Sequence, residues 1–219
     1  MPQILPPNFT PPSIPLSLAH HNITPEEWLS ANLRIAELCV GGLIFRHEPV
    51  THKSQILLIK RASTDFFPNT WEVPGGGVDS TDPTILHAVV REVWEETGLL
   101  VKELKCQVWD IKAGEKVMRS DGKEVIVGAK SGEGEVEFTG GQGEIWCKLN
   151  FVVDVGEVKD GQVLLDAEEH QDWRWFDRQA IVDAGADGED FISEQAVSIL
   201  ERGFEEFEKK KLEHAGNGM

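Results

Sequence analysis

Apolar residues occur in short runs separated by polar turns, and this pattern predicts a β-sheet. Segments 37–46 (ELCVGGLIFR) and 54–62 (SQILLIKRA) are rich in Val, Ile, Leu and Phe, as buried strands are. A short strand is predicted at 71–73, just before a run of glycines. The same pattern predicts three later strands, in VKELKCQVWDI, EIWCKLNFVVDV and DWRWFD.

Helix signals precede and follow these strands. In TPEEWLSANL, Thr24 is a good N-cap residue, Pro25 suits the first helical position, and Glu27 completes a capping box. Near the end of the chain, apolar residues recur at helical spacing over 189–214. This spacing predicts an amphipathic helix that packs one face on the sheet.

A further helix is predicted over 83–97, between the strand at 71–73 and the later strands. Asp82 and Pro83 form a strong start signal, because an Asp side chain caps free amides and proline needs no N–H donor at the first position. Gly98 supplies the stop signal.

A length of 219 residues favours one domain with decorations. Residues 1–22 form a proline-rich arm that we expect to be extended over the surface or disordered. The main domain is predicted over 23–208, with an insertion at about 112–143 that has the pattern of a long hairpin or loop. Residues 209–219 are expected to form a flexible tail.

The charge balance is strongly acidic, since 38 Asp and Glu outnumber 21 Lys and Arg and give a net charge of −17. Such a field repels DNA, RNA and anionic lipid, so neither a nucleic acid polymer nor a membrane is expected as a partner. Three cysteines without metal-ligand spacing indicate a reduced, cytoplasmic protein. Neither a secretory signal nor a membrane-spanning stretch is expected.

A glycine-rich loop is followed by an acidic helix face. Three glycines at 75–77 precede the helix, and Glu92, Glu95 and Glu96 share the side next to its apolar face, because a helix advances about 100° per residue. Side-by-side carboxylates suit Mg²⁺ or Mn²⁺, and glycines let backbone groups approach the same ion or a phosphate. A solvated acidic face is the alternative interpretation.

This segment resembles the Nudix box, which reads G-x5-E-x7-R-E-U-x-E-E-x-G-U with U apolar. REVWEETGL at 91–99 matches its second half without a gap. The first half departs by one residue. Counted from Gly76, Asp82 stands at the glutamate position, whereas counting back from the box arginine puts Pro83 there; we prefer the register from Gly76. WEVPGGG and EEHQDWRWF also resemble family segments, so the likeness covers about 38–176.

The resemblance implies the fold class α/β, a Nudix α/β/α sandwich with a mixed β-sheet between helices. It also implies a hydrolase, dependent on Mg²⁺ or on Mn²⁺ as the alternative ion, that cleaves a diphosphate linkage by water attack on phosphorus. The expected substrate is a small molecule, of the nucleoside-diphosphate type or a similar organic diphosphate. A homodimer is compatible with the resemblance.

The resemblance also assigns the metal ligands, to three glutamates and one backbone carbonyl: Glu92, Glu95, Glu96 and Gly76, with Gly77 as the alternative carbonyl. Glu95 is either a ligand or a carboxylate oriented by Arg91, which lies four residues earlier in the same helix.

The general base is left open by the sequence. It is either Glu92 or a glutamate from a later loop, where Glu168 and Glu169 are candidates and Glu144 is a more distant one. His170 is expected to be a structural hydrogen-bonding residue.

Substrate contacts are predicted around the glycine loop, at Gly75, Gly76 and Gly77. Arg61 either reaches a phosphate or forms a structural ion pair. Phe67, together with Phe66, is expected to line the substrate, whereas the tryptophans in strand patterns are expected in the core.

Two alternatives to a nucleotide hydrolase stay open. The altered first half of the box is compatible with a binding module that has lost hydrolysis, and metal-dependent turnover would distinguish the two. A hydrolase of a non-nucleotide, prenyl-type diphosphate is the other alternative, and a mixed substrate panel would separate it.

Overall fold

We describe the protein from a computed structural model of the chain. The structure describes residues 5–6, 9–65, 67–109, 116–118, 124–126, 136–139, 143–159, 161–186, 191 and 194–216. Phe66 and much of the predicted insertion lie outside these residues.

The elements follow one another in this order: a 3₁₀ helix Leu16–His21, α1 Pro25–Ala31, β1 Glu37–His47, β2 Ser54–Arg61, β3 Trp71–Glu72, α2 Ile85–Thr97, β4 Glu103–Val108, β5 Lys116–Met118, β6 Glu124–Ile126, β7 Val136–Thr139, β8 Ile145–Asp154, β9 His170–Phe176, α3 Arg178–Ala186 and α4 Glu194–Gly216.

Strand β1 lies at the centre of a mixed sheet. Its residues 37–44 run parallel to β8, and its end is antiparallel to β2, where Phe45 pairs with Ile56. Strands β4 and β7 pair antiparallel with β8, and β3 and β9 pair antiparallel with β2. Strands β5 and β6 form a separate antiparallel pair, which agrees with the hairpin expected in the insertion.

Side chains alternate between two cores on opposite faces of the sheet. On β2, Leu57 belongs to the core beneath α2, whereas Ile56 and Leu58 belong to the core beneath α4. The first core includes Trp28, Val40, Leu86, Val89, Val93 and Phe151. The second includes Leu43, Val152, Ile181, Ile199, Leu200 and Phe204. The predicted α/β/α sandwich is therefore confirmed.

Helix α2 begins later than predicted. Its N-cap is Thr84, whose Oγ1 accepts a hydrogen bond from the His87 amide at 3.1 Å. The prediction of Asp82 as the cap is therefore wrong, because its carboxylate accepts a hydrogen bond from Arg91 instead, and the start predicted at about 83 lies slightly before the observed one. The helix ends as predicted, at Gly98 in the left-handed region (φ 67°).

Two helices, rather than one, cover the second face of the sheet. The helix predicted over 189–214 corresponds to α4, but α3 at Arg178–Ala186 was not predicted. Helix α4 continues to Gly216, so the domain boundary predicted at 208 falls inside a helix. The rest of the predicted domain division stays a prediction.

Part of the N-terminal arm packs against β4. Ser13 makes two backbone hydrogen bonds, at 3.1 and 3.0 Å, to the chain at the start of β4. His21 at the end of the 3₁₀ helix is fully buried, and its Nε2 lies 2.7 Å from Gln107 Oε1 on β4. The expectation of an extended or disordered segment is therefore wrong for Leu16–His21, which forms a 3₁₀ helix with a buried polar partner, whereas Ser13 is extended against the sheet edge.

The structure agrees with several smaller predictions. The capping box of Thr24 and Glu27 is formed at the start of α1. Trp71 lies fully buried in a core, whereas Trp146, Trp173 and Trp175 are only half-buried, and the three cysteines are free. Among the described helices, none combines the length and apolar character needed to cross a bilayer.

We expect acid to destabilise the protein through His21. Burial lowers the pKa of His21 from 6.5 to about 4, although its bond to Gln107 opposes the change. Both states are neutral above about pH 6.5, but between 6.5 and 4 only the unfolded chain takes up this proton. The free energy of unfolding should therefore fall by about 2 to 3 kcal/mol as the pH drops through this window.

Urea unfolding of the wild type and of His21→Gln, at pH 7.5 and pH 4.5, measures this contribution. The variant should lose less stability on acidification than the wild type, since glutamine takes up no proton in this range. Equal losses in the two proteins would contradict the prediction.

Candidate active site

The glycine loop after β3 lies directly beside β1. Val40 donates to the Gly76 carbonyl at 2.9 Å, and Gly42 donates to the Pro74 carbonyl at 2.8 Å. Gly75 has a φ of 155°, and a Cβ there would lie 2.1 Å from the Val40 carbonyl oxygen. Only glycine allows so close an approach, so the loop conformation depends on this residue.

The two inner glutamates of α2 face this loop. Both Glu92 and Glu96 are buried, and the Gly75 amide donates to Glu96 Oε2 at 2.6 Å. A Cβ on Gly76 would lie 2.8 Å from a Glu92 carboxylate oxygen, so that carboxylate is in contact with the loop. The predicted pairing of the glycine loop with helix carboxylates is therefore seen for these two glutamates. Glu95 is half-buried on the outer side.

Arg91 joins the loop to the helix. Its guanidinium donates to both oxygens of the buried Asp82 at 3.0 and 2.8 Å, to Glu92 at 2.7 Å and to Glu95 at 2.9 Å. It also donates to the Gly77 carbonyl at 2.9 Å. These contacts raise the pKa of Arg91 above its usual range, the bonds to Asp82 most of all. Asp82 thus holds the arginine that orients Glu95.

Glu72 on β3 adds a buried carboxylate that the sequence did not indicate. Arg61 forms an ion pair with it, Lys148 Nζ lies 3.7 Å away, and His170 Nε2 lies 3.6 Å away. Burial alone would raise the pKa of Glu72, but these three groups outweigh it and hold the pKa below its usual value. The negative charge of Glu72 is therefore well compensated.

Arg61 forms the structural ion pair that was one of its two predicted roles. Besides Glu72, it donates to Asp65 at 2.6 Å. Its predicted contact with a substrate phosphate stays a prediction.

A β-bulge directs His170 toward α2. Arg61 pairs with His170 and Lys60 with Asp172, so Gln171 is an extra residue on β9. Trp173 and Trp175 pack against the core beneath α2. Because side chains alternate along a strand, His170 would face away from this core without the bulge. The bulge brings His170 Nε2 to 3.7 Å from Glu96 Oε1.

Burial raises the pKa of both inner helix glutamates. For Glu92 it raises the pKa from 4.5 to about 7, with Arg91 opposing the rise. The pKa of Glu96 lies well above its usual value, first through burial and then through the charges of Glu72 and Glu92. Unlike Glu72, these two carboxylates are not fully compensated by the positive side chains around them.

A divalent cation fits this group of side chains. Glu96, Glu169 and His170 each offer a ligand atom, and these atoms lie within 4.8 Å of one another. Carboxylate oxygen and imidazole nitrogen are donors that divalent ions take in proteins. The Gly76 carbonyl, predicted as a ligand, already accepts one hydrogen bond and keeps a second lone pair.

The remaining predicted residues lie at the edge of the site or beyond it. Glu169 is exposed, and its charge contributes to the raised pKa of Glu92. Glu144 accepts a hydrogen bond from Trp146 at 3.0 Å, near the start of β8. Phe67 is 46% exposed, with a φ of 56°, in the loop between β2 and β3. Its contact with substrate stays a prediction.

The layered mixed sheet and the glycine loop facing buried helix carboxylates define an α/β sandwich with an acidic site. The chain belongs to the NUDIX family, because the NUDIX domain model matches residues 39–195. The resemblance drawn from the box and its flanking segments is therefore confirmed.

Sequence relatives include two RNA pyrophosphohydrolases. The protein of Stenotrophomonas maltophilia is 30% identical over 143 residues, which cover 63% of this chain and 57% of the relative. That of Bartonella tribocorum is 26% identical over 149 residues, covering 65% of this chain and 77% of the relative. The chain thus spans little more than half the length of the first of these relatives.

Solved structures with the same fold include an Ap4A hydrolase from C. elegans, in a binary complex. It has a TM-score of 0.52 at 18% identity and covers 80% of this chain and 99% of its own. A NUDIX hydrolase from Alicyclobacillus acidocaldarius has a TM-score of 0.53 at 14% identity, covering 75% and 89%. Identities this low support the fold alone.

We expect Glu92→Gln to stabilise the metal-free protein above neutral pH. Because the pKa of Glu92 is about 7 in the folded protein and its ordinary value is 4.5, the stability contributed by the protonated side chain is present below pH 4.5 and is lost as the pH rises to 7. Removing the charge should raise the free energy of unfolding at pH 8 by about 1 to 3 kcal/mol.

Urea unfolding in a chelator at pH 5 and pH 8 measures this effect. Glu201→Gln, on an exposed position of α4, is the matched control and should change stability little at either pH. A Glu92→Gln protein that is no more stable than the wild type at pH 8 would show that the buried charge carries no cost.

Proposed function

We propose that the protein is a metal-dependent pyrophosphohydrolase that cleaves a small organic diphosphate. The observation that carries the proposal is the pair of buried carboxylates, Glu92 and Glu96, held against the glycine loop with raised pKa values. A protein that only needed stability would gain by replacing them, because burying an uncompensated charge is costly. Their retention is expected where a cation completes the site.

Glu92 and Glu96 would hold the ion, with Glu95 and the Gly76 carbonyl as further predicted ligands. We expect Mg²⁺, or Mn²⁺ as the alternative, and when bound such an ion neutralises phosphate oxygens and lowers the pKa of water. Arg91 keeps the helix carboxylates and the loop in one arrangement through its bonds to Glu92, Glu95 and Gly77.

We assign the general base to Glu169. It is exposed to solvent, and one of its oxygens lies within 4.8 Å of ligand atoms of Glu96 and His170. It would take a proton from water while the water oxygen forms a bond to phosphorus and the anhydride P–O bond breaks. The products are two phosphate-bearing fragments, and the proton taken by the base passes to solvent.

A small substrate suits the charge of the protein. A net charge of −17 opposes a long polyanion, whereas a compact diphosphate needs only one local positive centre. A cation held by Glu92 and Glu96 would supply such a centre. We therefore favour a nucleoside-diphosphate-type or dinucleoside polyphosphate substrate. RNA 5′ ends, suggested by the names of the relatives, are the second candidate. The cytoplasmic location and the homodimer stay predictions.

Turnover should depend on Glu96. We expect Glu96→Gln to lower kcat by at least about 10²-fold while leaving the fold intact, because it removes a ligand charge. Product release is measured with nucleoside diphosphate derivatives, dinucleoside polyphosphates, prenyl diphosphates and 5′-triphosphorylated RNA, each with Mg²⁺ or Mn²⁺. Glu201→Gln is the control with the same chemical change outside the site.

The panel also separates the alternatives. Turnover of prenyl diphosphates alone, or of RNA alone, would replace the proposed substrate class. A wild type that binds metal and turns over nothing would favour a binding module, and a Glu96→Gln protein with unchanged turnover would contradict the site assignment.

Glu168 and Glu169 offer a matched pair for testing the base. Both are exposed neighbours at the end of the same loop, so the same substitution has a similar effect on the surface. Glu169→Gln should lower kcat by about 10² to 10⁴-fold with a smaller change in KM. Glu168→Gln should leave kcat within a few-fold. A large loss in Glu168→Gln alone would transfer the role to that residue.

A further inference from the structure

His170 is a buried side chain whose hydrogen bonds are not accounted for. Its ring is 2% exposed, and neither ring nitrogen has a hydrogen-bond partner among the residues that the structure describes. A buried polar group without a partner costs free energy, so it calls for a specific explanation. The structural hydrogen-bonding role expected for His170 stays a prediction, with Glu72 Oε1 at 3.6 Å.

The distances around the ring suit a shared ion better than hydrogen bonds. His170 Nε2 lies 3.6 Å from Glu72 Oε1 and 3.7 Å from Glu96 Oε1, beyond the usual hydrogen-bond range. Two ligands that are each about 2.1 Å from one ion lie about 3.0 to 3.4 Å apart. A shift of a few tenths of an ångström would therefore bring nitrogen and oxygen to one ion.

Glu72 and Glu96, the two glutamates near His170, differ in how much of their negative charge is already paired with positive side chains. Glu72 is already paired with Arg61 and Lys148. Glu96 uses Oε2 to accept from the Gly75 amide, so Oε1, the oxygen that faces His170, is the one available to an ion. The exposed Glu169, assigned above as the general base, places an oxygen within 4.8 Å of these ligand atoms, at the solvent side of the group.

We propose that His170 is a metal ligand, together with Glu96. The inference rests on the proposed function in placing a divalent ion at Glu96, and it adds the class of ion. Mg²⁺ prefers an all-oxygen shell, whereas Mn²⁺, Co²⁺ and Zn²⁺ accept imidazole readily. A nitrogen ligand therefore favours Mn²⁺, the alternative ion above, over the Mg²⁺ expected from oxygen ligands alone.

Binding of Mn²⁺ alone to the full chain tests the proposal without any substrate. Pulsed electron paramagnetic resonance should detect the ¹⁴N nucleus of a coordinated imidazole in the wild type. His170→Gln should lose this signal, and its Mn²⁺ dissociation constant should rise by about 10 to 100-fold with a smaller change for Mg²⁺. His21→Gln, a change of another fully buried histidine beside β4, should keep both the signal and the affinity.

Each outcome has a definite meaning. A wild type without nitrogen coupling, or a His170→Gln protein that binds Mn²⁺ as tightly as the wild type, overturns the proposal. Circular dichroism and thermal unfolding verify that the variant is folded, and His170→Asn provides a second substitution if glutamine is not tolerated. Turnover with Mg²⁺ and with Mn²⁺ is measured separately: absence of turnover with both ions counts against the proposed function, whereas turnover without nitrogen coupling counts against His170 alone.

Discussion

The contact between the Glu96 carboxylate and the Gly75 amide is the interaction on which the site depends. It requires the loop to lie within hydrogen-bond distance of α2, and this in turn requires a residue without a side chain where the loop meets the Val40 carbonyl. It also requires α2 to pack closely on β1. Gly42 allows this, because a Cβ there would lie 2.4 Å from a methyl group of Val93. Core packing and site geometry thus both depend on glycines that allow the loop and α2 to lie close to β1.

The carboxylates around this contact differ in how well nearby positive side chains compensate their charge. On one side, Arg91 bonds to Asp82 and to the outer helix carboxylate, and on the other, Arg61 and Lys148 neutralise Glu72. Between these compensated pairs lies Glu96, buried and without a positive partner of comparable strength. Because the interior favours the neutral form of such a group, its ionised form needs a cation from outside the chain. Glu96 is therefore the position in this site where a bound cation would relieve the most uncompensated charge.

The fold and the helix carboxylates could be predicted because they follow from local periodicity and contiguous motifs. The capping box at Thr24 and the stop at Gly98 are short-range signals of this kind. Glu72 and His170 could not be recognised, since their roles arise from pairing between distant strands. His170 faces α2 only because one extra residue on β9 reverses the alternation of side chains, and a bulge leaves no mark in a single sequence.

The net negative charge of the whole chain also indicates that the site needs a bound cation. A phosphate approaching a protein with a net charge of −17 meets repulsion until a local positive centre outweighs it. The arginine and lysine side chains nearest the site are already engaged by Asp82, Asp65 and Glu72, so little of their charge is left for a substrate. An ion held by Glu92 and Glu96 would satisfy the buried carboxylates and attract the diphosphate at once. The same bound ion would therefore serve both metal binding and substrate binding, at the place where α2 meets the glycine loop.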